Sequence, residues 1–221
     1  MPAIRKVALR KQYFHIRGLT LKLILIAFVL VLLGACGQMQ NIPSSAPPVA
    51  KDANTVIINQ PFEQVWSHAI PQIGKSFFAI NNIDKNSGIL NISYDGDPEE
   101  YVDCGTIHSE YGAQKIDFPA AKAHQDWLGP SGGILVANYS RTVTLAGRMN
   151  IVFEHLSETS TKVTVNARYV LNRSTTMRVG SVPPTSDQET IMFNSGGEAT
   201  LQHGVCRPNG KFEHDVLAMI Q

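Results

Sequence analysis

Apolar residues recur every three or four places from position 62: Phe62, Val65, Trp66, Ala69, Ile70 and Ile73 form the stripe of an amphipathic helix with one face on a core. Pro61 suits its first position and Gly74 its end, while Pro71 removes a ladder bond and predicts a kink or an early stop. Elsewhere the period is two. Thr55–Ile58 reads as a short strand, and Phe77–Ile83 and Ile89–Tyr94 as a hairpin turning at Asp84-Lys85-Asn86-Ser87-Gly88. Arg141–His155 and Lys162–Asn172 form a longer antiparallel pair around the polar loop Leu156–Thr161, with Val163, Val165, Ala167, Tyr169 and Leu171 on one face. A strand over Ala199–Val205 and a helix over Lys211–Ile220, with Phe212, Val216, Leu217 and Ile220 on one side, complete the pattern. The order predicts an α+β fold, an antiparallel sheet packed by an N-terminal and a C-terminal helix, in a single domain spanning 55–221.

The first 35 residues follow a different rule. Six Lys or Arg and no acidic residue precede a wholly apolar run, Leu23–Leu33, which is short for a membrane span of about 20 residues. Leu33-Gly34-Ala35-Cys36 then resembles the lipobox of bacterial lipoprotein signal peptides. That resemblance implies a leader over 1–35, cleaved before a lipidated Cys36. Gly37, where an Asp would signal inner-membrane retention, implies an outer-membrane destination. More than one acyl chain anchors stably, so the membrane itself is an expected partner. Residues 36–54 read as the lipidated cysteine and a tether of small, polar and proline residues, able to stretch to roughly 60 Å and averaging nearer 25 Å when flexible.

Removing the leader changes the charge. Its six cations leave 13 Lys and Arg against 18 Asp and Glu, so the mature chain carries about −5 rather than +1. A nucleic-acid partner would call for a basic surplus. With Cys36 assigned to lipid, Cys104 and Cys206 can pair only with each other inside an exported chain, and a disulfide is expected. Cys104 and His108 lack the further ligands a metal site needs, and neither metal nor cofactor is expected.

The strand into Pro61-Phe62-x-x-Val65-Trp66, then Ile83-Asp84-Lys85-x-Ser87-Gly88 and its hairpin, then the helix opening at Gly210-Lys211-Phe212-Glu213, resemble the helix-grip lipoproteins typified by the C component of the outer-membrane β-barrel assembly machine. The resemblance spans Thr55–Asp95 and about the last twenty residues. It implies a helix laid across a curved antiparallel sheet and an accessory binding role without catalysis. Gly129-Pro130-Ser131-Gly132-Gly133 matches G-x-S-x-G, the pattern of a hydrolase nucleophile at Ser131, but strand-like Ile134-Leu135-Val136 follows where a nucleophile elbow needs a helix. A glycine turn is the expected reading.

Two stretches have no evident structural role: Thr106–Gly133, with Tyr111, Phe118 and Trp127, and Ser174–Glu198, with Pro183-Pro184 and Met192-Phe193. Long inserts in compact domains are usually functional or disordered, and Tyr111, Phe118, Trp127 and Phe193 are candidates for contact with a protein partner; the equal alternative is that both inserts fold back to cover the sheet. The expected function is a binding or assembly module of an envelope complex. The alternative is a carrier holding a lipid or small apolar ligand between helix and sheet.

Overall fold

The computed structural model describes residues 38–42, 53–132, 135–201 and 204–221. In chain order the elements are β1 (Gln38–Ile42), β2 (Thr55–Ile58), α1 (Phe62–Gly74), β3 (Ala79–Asp84), β4 (Ile89–Gly96), β5 (Val102–Asp103), β6 (Thr106–Tyr111), β7 (Gln114–Pro119) and β8 (His124–Pro130). They continue with β9 (Val136–Ser157), β10 (Ser160–Arg178), β11 (Thr185–Asn194), β12 (Ala199–Leu201), β13 (Gly204–Pro208) and α2 (Lys211–Ile220). A 3₁₀ turn, Pro98–Glu100, follows β4 and carries Glu99 and Glu100. The predicted leader, Cys36 and residues 43–52 of the predicted tether lie outside the described residues.

Strands β9 and β10, 22 and 19 residues long, pair antiparallel and organise a seven-stranded sheet. Each is too long for one neighbour. The free edge of β9 is shared by β8 and β4, that of β10 by β11 and β2, and β3 lies outside β4. Along β9 burial alternates without a break from Ala137 to Phe153, so one face meets the core and the other, with Thr142, Thr144, Arg148 and Asn150, meets water. That is the division a half-covered antiparallel sheet requires.

Both helices pack on the inner face and against each other. Helix α1 buries Phe62, Val65, Trp66, Ala69 and Ile73, and the Trp66 ring meets Phe153 at 5.0 Å edge-on. Helix α2 buries Phe212, Val216, Leu217 and Ile220, with the Phe212 ring 4.6 Å from Tyr101 and 5.7 Å from Tyr169. Gly147 makes that approach possible, since a Cβ there would stand 2.4 Å from the Phe212 ring. Gly147→Ala is therefore expected to overpack this contact and destabilise the domain by about 1–3 kcal/mol. A urea midpoint equal to the parent's would contradict it.

One carboxylate lies inside the core. Glu213 is 4% exposed, and its two oxygens accept hydrogen bonds from the Tyr169 hydroxyl at 2.8 Å and the Ser195 hydroxyl at 2.6 Å. The Ser195 oxygen in turn accepts the Ala167 N–H. A buried polar group is tolerated when it is hydrogen-bonded, and this network ties α2, β10 and the end of β11 together. At the start of α2, β13 pairs with β5 through Arg207 opposite Asp103, and beside that pair Cys104 and Cys206 stand at disulfide distance with Cα atoms 4.0 Å apart. The Asn209 amide N–H donates to the Tyr101 carbonyl, and the Asn209 side chain to that of Glu100. The closing helix is thus held to the segment that follows the β3–β4 hairpin.

Several expectations are corrected. Of the kink or early stop expected at Pro71 the early stop does not occur: helix α1 runs on to Gly74, the end its glycine suits, and the carbonyl freed by the missing N–H belongs to exposed Ser67, where water can satisfy it. The strand expected over Ala199–Val205 is two strands, β12 and β13, paired antiparallel. Strands β9 and β10 run well past Arg141 and Asn172. The two inserts carry strands: residues 106–130 supply β6, β7 and β8, and residues 174–194 supply the end of β10 and all of β11. Finally, Gln38–Ile42, inside the predicted tether, is the strand β1, paired with β6 from Gln38 opposite Glu110 to Ile42 opposite Thr106.

Candidate functional site

The small sheet β1–β6–β7 meets the large sheet at β8, and two open grooves flank β8 there. One, of about 600 Å³, runs along the water-facing side and is lined by Asp126, Leu128, Asn138, Ser140, Thr176 and Arg178. The other, of about 390 Å³, lies against the β6–β7 hairpin with Ser109, Ala113, Lys115 and Ile116. Trp127 and Leu128 line both.

An aromatic stack builds the ridge between them. Trp127 lies 4.9 Å from Tyr139 in parallel and 5.0 Å from Phe118, and the Tyr139 hydroxyl donates to the Pro130 carbonyl at 2.7 Å. Gly129 lets these groups close up, since a Cβ there would sit 3.0 Å from Ser109 Oγ, 3.2 Å from Trp127 Nε1 and 3.1 Å from the Tyr139 ring. Among the described residues Ser109 Oγ and Trp127 Nε1 have no hydrogen-bond partner, although both are buried. Such groups cost about 1–3 kcal/mol each. Leu128, next along the strand, turns outward and is 39% exposed.

Charge frames the grooves. His108 Nδ1 stands 2.5 Å from Asp117 and its Nε2 3.1 Å from Glu110, while Lys115 also pairs with Glu110. The Asp117 carboxylate, with Glu110 adding to it against some desolvation, raises the His108 pKa above its ordinary value. Lys115 first and His108 second lower that of Glu110. Across β8, the Ser140 hydroxyl lowers Asp126, with His124 assisting. A histidine pKa raised by folding stabilises the hairpin fully below the unfolded value of about 6.5, and that contribution is lost as pH rises through the folded value. The protection factors of β6 and β7 amides, with the intrinsic pH dependence of exchange divided out, should fall across that window, and His108→Gln should remove the fall. A parent hairpin whose protection does not change across it would contradict this.

Further along the inner face, past the helices, two arginines point inward. Arg173 is bound by Asp187 at 2.9 Å and Glu189 at 2.7 Å. Arg141 is 7% exposed, its Nε has no partner among the described residues, and burial first, then the Arg173 charge, lower its pKa to about 10.

Of the aromatics singled out from the sequence, Phe118, Trp127 and Phe193 are buried and Tyr111 is half-buried at the end of β6. Phe193 stacks on Tyr169 at 5.2 Å. The rings of Phe118, Trp127 and Phe193 belong to the core, because in strands every second side chain faces inward, and Trp127 also lines both grooves. Ser131 follows β8 and precedes β9, and its N–H donates to the Leu135 carbonyl at 3.0 Å, so a strand lies on each side of it. Cys36 lies outside the described residues. Ser109, Leu128, Asn138, Ser140 and Arg178 join the site only in the folded chain. Each is a polar or lone apolar residue in a strand, which carries no sequence signal. Among the described residues no cluster of three or more His, Cys, Asp or Glu could hold a metal, and no helix is long and apolar enough to cross a membrane. Comparison with protein-family models, curated proteins and solved structures gives no match to this chain.

Proposed function

We propose that this chain is a lipid-anchored lipoprotein of the bacterial cell envelope, carried to the outer membrane by its leader and held through Cys36. Its domain, 55–221, faces the periplasm with a helix-grip packing of α1 and α2 on the sheet and serves as a binding module of an envelope complex. The Cys104–Cys206 pair supports export, because such bonds persist in oxidising compartments.

One observation favours a module over a carrier. The space between helices and sheet, where a carried lipid would sit, is occupied by Phe62, Trp66, Phe78, Phe153, Tyr169 and Phe212, while the open grooves lie outside it along Trp127 and Leu128. A partner segment laid along β8 would cover Leu128 and could offer a carbonyl to the unpaired Trp127 N–H after a small shift of the strand.

Palmitate labelling followed by affinity purification from solubilised envelopes tests the reading. The parent is expected to incorporate label and bring down a discrete envelope protein, and Cys36→Ser to accumulate as unlabelled precursor. Equal labelling of parent and variant would reject the anchor. Recovery of bound lipid with no protein would reject the module in favour of the carrier.

A further inference from the structure

The position of β1 sets how far the domain can stand from a membrane. Its backbone pairs with β6 over five residues, with Gln38 opposite Glu110. Two peptide steps separate Gln38 from Cys36, and whatever their conformation they span at most ~7 Å. An acylated Cys36 lies at the headgroup layer, so the start of β1 and the part of β6 beside it must lie there too. The tether expected from the sequence would have allowed a separation several times larger.

The surface delivered to the lipid is the β6–β7 turn. Tyr111 pairs with Gln114 and Glu110 with Lys115, so the turn lies next to Gln38 in the small sheet. Residues 112–115 are exposed, and Tyr111 is half-buried. Tyrosine and lysine are the side chains that suit the membrane interface, the one by its amphipathic ring and the other by its long stem and charge. The groove that contains Ala113, Lys115 and Leu128 opens beside this turn.

We propose that the β6–β7 turn, from Tyr111 to Lys115, rests on the lipid headgroup layer, docking the domain on the membrane and placing the Trp127–Leu128 grooves at membrane level. This rests on the lipid anchor at Cys36. The occupant of the turn is the bilayer surface itself, since the chain that leads away from Gln38 is too short to reach anything else once acylated.

The test uses the full lipidated protein in vesicles of phosphatidylethanolamine and phosphatidylglycerol. With Cys104 and Cys206 paired and Cys36 acylated, a single engineered thiol takes a fluorophore at Ala113→Cys or at Glu158→Cys. The first site lines the groove with Leu128, which pairs with Asn138 near the start of β9, whereas the second lies in the turn beyond the far end of β9, roughly 60 Å away along the strand. Lipids spin-labelled at the headgroup are expected to quench the label at position 113 several-fold more than that at 158. Met39→Pro with Gln40→Pro, which removes two backbone donors from β1, should lower quenching at 113 toward the value at 158. Equal, weak quenching at both positions in protein whose intact mass shows the acyl chains would overturn the docking and leave the anchor standing. An intact mass without acyl chains would overturn both.

Discussion

Cys104→Ser combined with Cys206→Ser is expected to lower the stability of the domain by about 4–5 kcal/mol. The two cysteines stand at disulfide distance with a sequence separation of 102, and the chain-entropy argument gives that order of magnitude for a bond closing a loop near 100 residues. For a domain of this size the loss corresponds to roughly a 10–20 °C fall in unfolding temperature. The effect has a structural location as well. The pair sits where β13 meets β5, one turn of chain before α2, so amides of α2 should lose exchange protection before those of β9 and β10. Thermal unfolding of parent and variant, followed by exchange at individual amides, checks both. Two alkylatable thiols in denatured, unreduced parent protein would remove the claim at its source.

Trp66→Ala is expected to cost about 3–5 kcal/mol, the range for truncating a large buried ring. The indole is 6% exposed, stacked 5.6 Å from Phe62 and edge-on to Phe153 at 5.0 Å, so its removal opens a cavity between α1 and β9 that the sheet cannot close. Chemical denaturation measures it. A parent-like midpoint would place the ring outside the core and weaken the case that helices and sheet fill their own interface.

Where the sequence was legible, the signal was local. The stripe of α1 follows from Phe62 to Ile73 because a helix buries one face along its whole length, and the β3–β4 hairpin follows from a turn of the right residues between alternating runs. The ends of β9 and β10 were hidden by chemistry. At Arg141 and Arg173 the inward position is charged, so the apolar alternation that marks a strand stops while the pairing continues to Asn138 and Arg178. Strand β8 was hidden in the same way: its inward places hold Gln125, Trp127 and Gly129, and only one of them is large and apolar. The polar residues of β1 and the prolines that follow it concealed that strand, which is stabilised by the backbone bonds β6 offers and not by its own composition.

The candidate site was half legible. Trp127 stood out as an aromatic in a stretch without apparent structure, but an aromatic residue reads alike whether it lines a groove or fills a core, and Phe118 and Phe193 do the latter. Leu128 and Ser109 acquire meaning only when β6 and β8 come together around Gly129.

The proposal that the domain is a binding module rests most directly on the groove at Leu128. A photo-cross-linking amino acid placed at Leu128 in the lipidated protein, irradiated in intact cells, is predicted to yield a discrete covalent adduct with an envelope protein, whereas the same group at Glu158 yields none. Irradiation that gives no protein adduct at Leu128, in protein that is folded and membrane-bound, would contradict the account.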